Sequence, residues 1–179
     1  MDWSLVLDKL VDVVVGIGTT VLGILIVYAI ARPRVEFAQS VQLERRPGFD
    51  RYGLLIRGTG IVRIMTMRAE VFLQVPGRRH TSVPIPLSRD TWTNVRRNRR
   101  RWRAAPRLLL NEVDWARHLP GRVLPPGSMG QLETVMENMN AKLFVRITAT
   151  SNIFSVTTVR TRRYSFVEVR EAVELEPSE

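Results

Sequence analysis

VVVGIGTTVLGILIVYAIA, residues 13–31, runs for nineteen positions without a charged side chain. As a helix, at 1.5 Å of rise per residue, it measures about 28 Å, close to the thickness of a bilayer's hydrocarbon core. No other stretch of the 179 residues resembles it. The segment predicts a single membrane-spanning helix with one domain, residues 32–179, on one side of it.

A cleavable signal peptide is the rival reading, because Ala29-Ile30-Ala31 has the small-x-small form of a cleavage site. The run is longer than the roughly 7–15 apolar residues of a signal peptide, and a signal peptide has a basic lead. Here the lead carries Asp2, Asp8 and Asp12 against Lys9 alone. A retained anchor over residues 1–31 is therefore the expectation, and a secreted domain released after Ala31 is the alternative. Arg32, Arg34, Arg45 and Arg46 follow the span, so the positive-inside rule puts the C-terminal domain in the cytoplasm and the protein in the cell membrane.

Helical periodicity begins before the apolar run. Trp3, Val6, Leu7, Leu10, Val11 and Val14 recur at three- and four-residue spacing, and Asp2 fits an N-cap. Within the span Gly16, Thr20 and Gly23 form a strip of small residues, the kind of surface on which helices approach closely in lipid. It is the candidate for self-association or for packing with a partner helix.

After Arg32-Pro33 the period changes from helical to alternating. Residues 35–44 place Val35, Phe37, Val41 and Leu43 on one side, and residues 51–57 do the same with Tyr52, Leu54 and Ile56. The clearest alternation is MTMRAEVFLQV, residues 65–75, with Met67, Ala69, Val71, Leu73 and Val75 on one face. Residues 80–87 read as a short edge strand limited by Pro84 and Pro86. Residues 131–137, 142–151 and 154–169 read as further strands, the last as one strand or two. Short strands between turn signals predict a mainly β domain, an Ig-like antiparallel β-sandwich, with a small β-barrel as the alternative. Residues 88–122 are a less regular insert, helical or irregular, and residues 168–179 form an acidic tail.

Net charge is +10, and since residues 1–31 carry −2, the domain carries +12. Of 27 basic residues 25 are arginine. The absence of cysteine excludes a disulfide framework and a zinc–thiolate site, and two histidines, His80 and His118, are too few for a histidine-rich metal centre. Arg96, Arg97, Arg99, Arg100, Arg101 and Arg103 fall within eight residues. If this stretch is helical, Trp92, Val95, Trp102 and Ala105 share its apolar side. Such a segment suits anionic membrane lipid or an acidic protein partner, with Trp92 and Trp102 at the contact. Nucleic acid is disfavoured, because a membrane-held protein gains little from reading a base sequence.

Catalytic signatures do not emerge. Glu112, Asp114 and His118 fit a short surface helix, with Trp115 inward and Asp114 paired to Arg117 or His118, better than an acid–base or metal site. Gly53, Gly58 and Gly60 lack the following helix of a phosphate loop. No nucleophile–base pair, metal site or cofactor is assigned. The sequence points to a non-enzymatic, membrane-anchored scaffold or interaction module, part of a membrane assembly or a homo-oligomer. The alternative is a membrane-held sensor whose β-domain binds an anionic ligand such as a nucleotide.

Overall fold

A computed structural model describes residues 3–46, 49–76, 81–95, 106–119, 131–153 and 155–171. Helix α1, Trp3–Ala31, is unbroken over 29 residues. Its segment Leu7–Ala31 is long and apolar enough to cross a membrane. The large apolar side chains along it stand open, from Leu7 at 61% exposure to Ile30 at 49%. Asp2, the expected cap, lies outside the described residues.

The rest of the described chain is mainly β. The longest strands, β5 (Ile64–Val75) and β9 (Lys142–Ser151), pair antiparallel from Gln74↔Lys142 to Ile64↔Ser151, with a bulge between Ile64 and Thr66. β10 (Thr157–Tyr164) flanks β9, while β6 (Thr81–Pro84) and β7 (Thr91–Val95) take opposite halves of the other edge of β5. Met67, Ala69, Val71, Leu73 and Val75 are all buried, as their alternation predicts. A second sheet runs β11-β2-β3-β8, comprising Val169–Glu171, Val41–Arg46, Phe49–Gly53 and Arg107–Leu108, with β11 parallel to β2. A two-stranded ribbon joins β1 (Val35–Phe37) to β4 (Ile56–Gly58). Inward residues of all three sheets share one hydrophobic cluster. None of the sheets closes into a barrel among the described residues, which removes the barrel alternative.

Three expected strands change, and the tract read as one strand or two divides. Residues 51–57 are not one strand: β3 ends at Gly53 and, after Leu54 and Leu55, the chain enters the ribbon at Ile56. Residues 35–44 do not form one strand: the chain leaves the ribbon after Phe37 and enters the second sheet at Val41. The corner between them is held by tertiary bonds, with Tyr164 Oη donating to the Ala38 carbonyl at 2.9 Å and Arg162 donating to the Gln39 carbonyl at 3.0 Å. Residues 131–137 are not a strand either, because Leu132–Asn138 is helix α3. Leu132, Val135, Met136 and Met139 recur at offsets of three, four and seven, and all are buried. The tract at 154–169 also divides: β10 ends at Tyr164, a 3-10 turn follows at Phe166–Glu168, and β11 then joins the other sheet. A capping box closes that turn, the Ser165 N–H donating to Glu168 at 2.7 Å.

Two tyrosines fasten these departures. Tyr52 Oη, from β3, donates to Glu133 at 2.5 Å and accepts from the Leu132 N–H at 3.0 Å, so it satisfies a buried donor at the start of α3. Tyr52→Phe leaves that donor without its partner and is expected to cost about 1–3 kcal/mol. Denaturant unfolding in detergent, followed by tryptophan fluorescence, measures it; an unchanged midpoint contradicts the role.

Burial pushes the Tyr164 phenol up to about 12 and moves the Tyr52 phenol in the same direction, with Glu133 reinforcing the latter. Both are raised above the ordinary value of 10.0, so their contribution is whole below pH 10 and falls as pH rises above it, that of Tyr164 being lost as pH passes about 12. The Glu168 carboxyl is held below its usual value, chiefly by the Ser165 N–H, so its contribution is lost only in acid. The unfolding midpoint is expected to decline above pH 10, and Tyr164→Phe is expected to flatten that decline while lowering the midpoint at neutral pH.

Candidate functional site at the helix–domain junction

Alternation begins in the last residue of the helix. Ala31, Pro33 and Val35 are buried while Arg32 and Arg34 are exposed, so the chain enters the domain without a linker. The last helical bond runs from the Arg32 N–H to the Tyr28 carbonyl at 3.1 Å. Proline at 33 then prevents further helix.

Two turns of the domain close around this exit. In the first, the Thr59 N–H donates to the Arg34 carbonyl at 2.9 Å. A Cβ on Gly60 would stand 3.0 Å from the Arg34 backbone nitrogen, so glycine is what allows the two backbones to approach. Ile61 follows at 75% exposure, then buried Val62 and exposed Arg63. The second turn joins β9 to β10. The Ser151 N–H donates to the Val156 carbonyl at 2.9 Å, and the Ser151 hydroxyl to the Ile153 carbonyl at 2.7 Å. Ser155 takes a left-handed conformation, φ 50°. The turns are joined by the Asn152 N–H donating to the Arg63 carbonyl at 3.2 Å, and Arg32 Nε reaches Thr158 Oγ1 at 3.3 Å.

The β9–β10 turn rises beside the helix. Thr20, Gly23, Ile24, Val27, Tyr28 and Val156 line an open groove of about 540 Å³ with almost wholly apolar walls. Two members of the small-residue strip, Thr20 and Gly23, are therefore in its wall. Gly16 lies farther along the helix, where an added Cβ would meet nothing. Thr20 Oγ1 donates to the Gly16 carbonyl at 2.8 Å and Thr19 Oγ1 to the Val15 carbonyl at 3.0 Å, so both hydroxyls are satisfied within the helix.

The arginine segment starts at the same end. β7 stops at Val95, which pairs with Ile64, and Ile64 pairs on its other side with Ser151 of the junction turn. Arg96, Arg97, Arg99, Arg100, Arg101, Arg103 and Trp102 lie outside the described residues. Trp92 does not begin a helix with them. It sits in β7 opposite Met67, 8% exposed, with its ring in the domain core. Sequence periodicity groups it with the arginines, whereas β5 pairing places it among the strands.

A second concavity, about 640 Å³, is lined by Glu36, Phe37, Ala38, Gln39, Arg57 and Arg162. Its arginines already face carboxylates, Arg57 with Glu36 at 2.8 Å and Arg162 with Glu168 at 3.4 Å. An anionic ligand there competes with both carboxylates. Asp114 is spent locally, its carboxylate accepting the Arg117 N–H at 3.0 Å as the cap of α2 (Trp115–His118), and Trp115 is buried. No group of three or more histidine and carboxylate side chains fit to hold a metal occurs among the described residues, and His80 lies outside them.

Sequence reading passes over Ile61, Arg63, Ile153 and Val156. Their signal is an isoleucine at each of two turns, beside Gly58-Thr59-Gly60 and beside Ser151-Asn152. Turns are ordinarily polar. No protein-family model matches the chain, and a comparison with curated proteins returns no relative.

Gly60→Ala forces Arg34 and the turn apart and is expected to destabilise by about 1–3 kcal/mol. Gly53→Ala, where an added Cβ meets nothing within 4 Å, is the control. Equal unfolding midpoints for the two variants contradict the close approach.

Proposed function

We propose that this chain is a single-pass, membrane-anchored, non-enzymatic scaffold or interaction module. In this reading α1 spans the cell membrane and residues 32–179, an Ig-like sandwich, lie in the cytoplasm. The observation that carries it is the pairing of a helix whose large apolar side chains are exposed from Leu7 to Ile30 with a domain that follows it without a linker. An exposed apolar surface of that extent, lined up with a bilayer's thickness, is one that lipid or other helices cover.

The module acts by holding partners at the membrane. Gly16, Thr20 and Gly23 offer a surface for a second helix or a second copy. The arginine segment, residues 96–103, contacts anionic headgroups or an acidic partner, and its attachment at Val95 on the junction side of the sheet favours lipid. The sandwich reading rests on β2, β3, β5 and β9 burying their inward residues in one cluster.

Alkaline carbonate washing of native membranes, followed by intact mass measurement and by protease treatment from each side, tests the reading. The expected result is a chain with its N-terminal segment intact, retained in the pellet and cleaved in its β-domain only from the cytoplasmic side. Release into the wash, or a mature N-terminus at Arg32, contradicts it.

A further inference from the structure

The depth of the helix fixes the depth of the turn beside it. Residues 13–31 supply about 28 Å of uncharged helix, and a hydrocarbon core needs about 30 Å. The helix cannot satisfy that span by sliding toward its start, because Asp8, Lys9 and Asp12 lie there. Ile24, Val27 and Tyr28 are thus part of the span. Val156 lines one groove with those three residues and Thr158 bonds Arg32, so the β9–β10 turn stands beside the last turns of the helix, where the span meets the interface. Ser151 and Val156 close the base of that turn, and Ile153 lies at its tip, 38% exposed. Bonded to it through Asn152 and Arg63 is the other turn, which carries Ile61 at 75% exposure.

Both isoleucines are apolar side chains in turns that backbone bonds tie to the helix exit and to each other. Arg32, Arg34 and Arg63 are exposed there, where long basic side chains reach phosphate while their stems stay in apolar surroundings. The groove's walls give water almost nothing to bond, whereas they match acyl chains. We propose that Ile61 and Ile153 embed in the interfacial layer of the leaflet from which α1 emerges, so that the domain rests on the bilayer through two turns as well as through its helix. This inference depends on α1 spanning the membrane, as proposed above.

The chain has no cysteine, so single-cysteine labelling of the full-length protein is clean. Ile61→Cys, Ile153→Cys, Val21→Cys in the helix and Glu137→Cys at an exposed position of α3 are each labelled with a nitrobenzoxadiazole dye. They are then reconstituted into phosphatidylcholine–phosphatidylserine vesicles with doxyl lipids at shallow or deep acyl positions. Blue-shifted emission at 61 and 153, with loss of intensity to shallow doxyl groups, is expected. Val21 is expected to respond to deep groups and Glu137 to neither. If Val21 is quenched while 61 and 153 emit as in water, the embedding is overturned and the spanning helix stands. If Val21 is unquenched, both are overturned.

Discussion

The passage from helix to domain within three residues governs the rest of the structure. Ala31, Pro33 and Val35 are buried in alternation with exposed Arg32 and Arg34, so only three residues separate the end of the helix from the first strand. Flexible linkers decouple a domain from its anchor. Here the Thr59–Arg34 bond, the Gly60 approach and the Arg32–Thr158 bond tie the exit to the turn after β4 and to the start of β10, separate parts of the fold. The orientation of α1 is thereby imposed on the whole β-domain, and each surface around the exit acquires a fixed height relative to the helix.

That constraint gives the basic character of the domain a direction. A net charge of +12 spread over residues 32–179 is a weak argument for any partner, given an arginine usage that composition alone can produce. Position narrows it. Arg32 and Arg34 lie in the exit and Arg63 in a turn bonded to its neighbour, all exposed, and the 96–103 segment follows Val95, whose partner Ile64 is the residue after Arg63. The arginines of the polar concavity, by contrast, face Glu36 and Glu168. A nucleotide sensor built on that concavity needs to displace carboxylates held by hydrogen bonds, in Glu168's case by the Ser165 N–H as well.

Period-two alternation made the central strands legible from sequence, because β5 and β9 fully bury one face and leave the other half-buried or exposed along most of their length. It failed where tertiary partners decide local structure. The corner at Ala38–Gln39 carries no strong turn signal and is made by Tyr164 and Arg162, well over a hundred residues away. Residues 131–137 hold a helical face in Leu132, Val135 and Met136, but the run is short and the strand that follows it, β9, biases the reading toward another strand. Trp92 was grouped with the arginines because a helix of period 3.6 joins it to Trp102, while pairing with β5 assigns it to the core. The junction turns escaped because two isolated isoleucines mean little until the fold brings them beside the same helix.

A rigid junction is the claim on which the proposed role and the membrane contact both stand. Double electron–electron resonance measures it directly, using the cysteine-free chain with spin labels at Val21→Cys in the helix and Thr161→Cys on exposed β10, reconstituted in bilayers. A single narrow distance distribution is expected. A broad distribution, as from a domain swinging on a loose tether, contradicts the account.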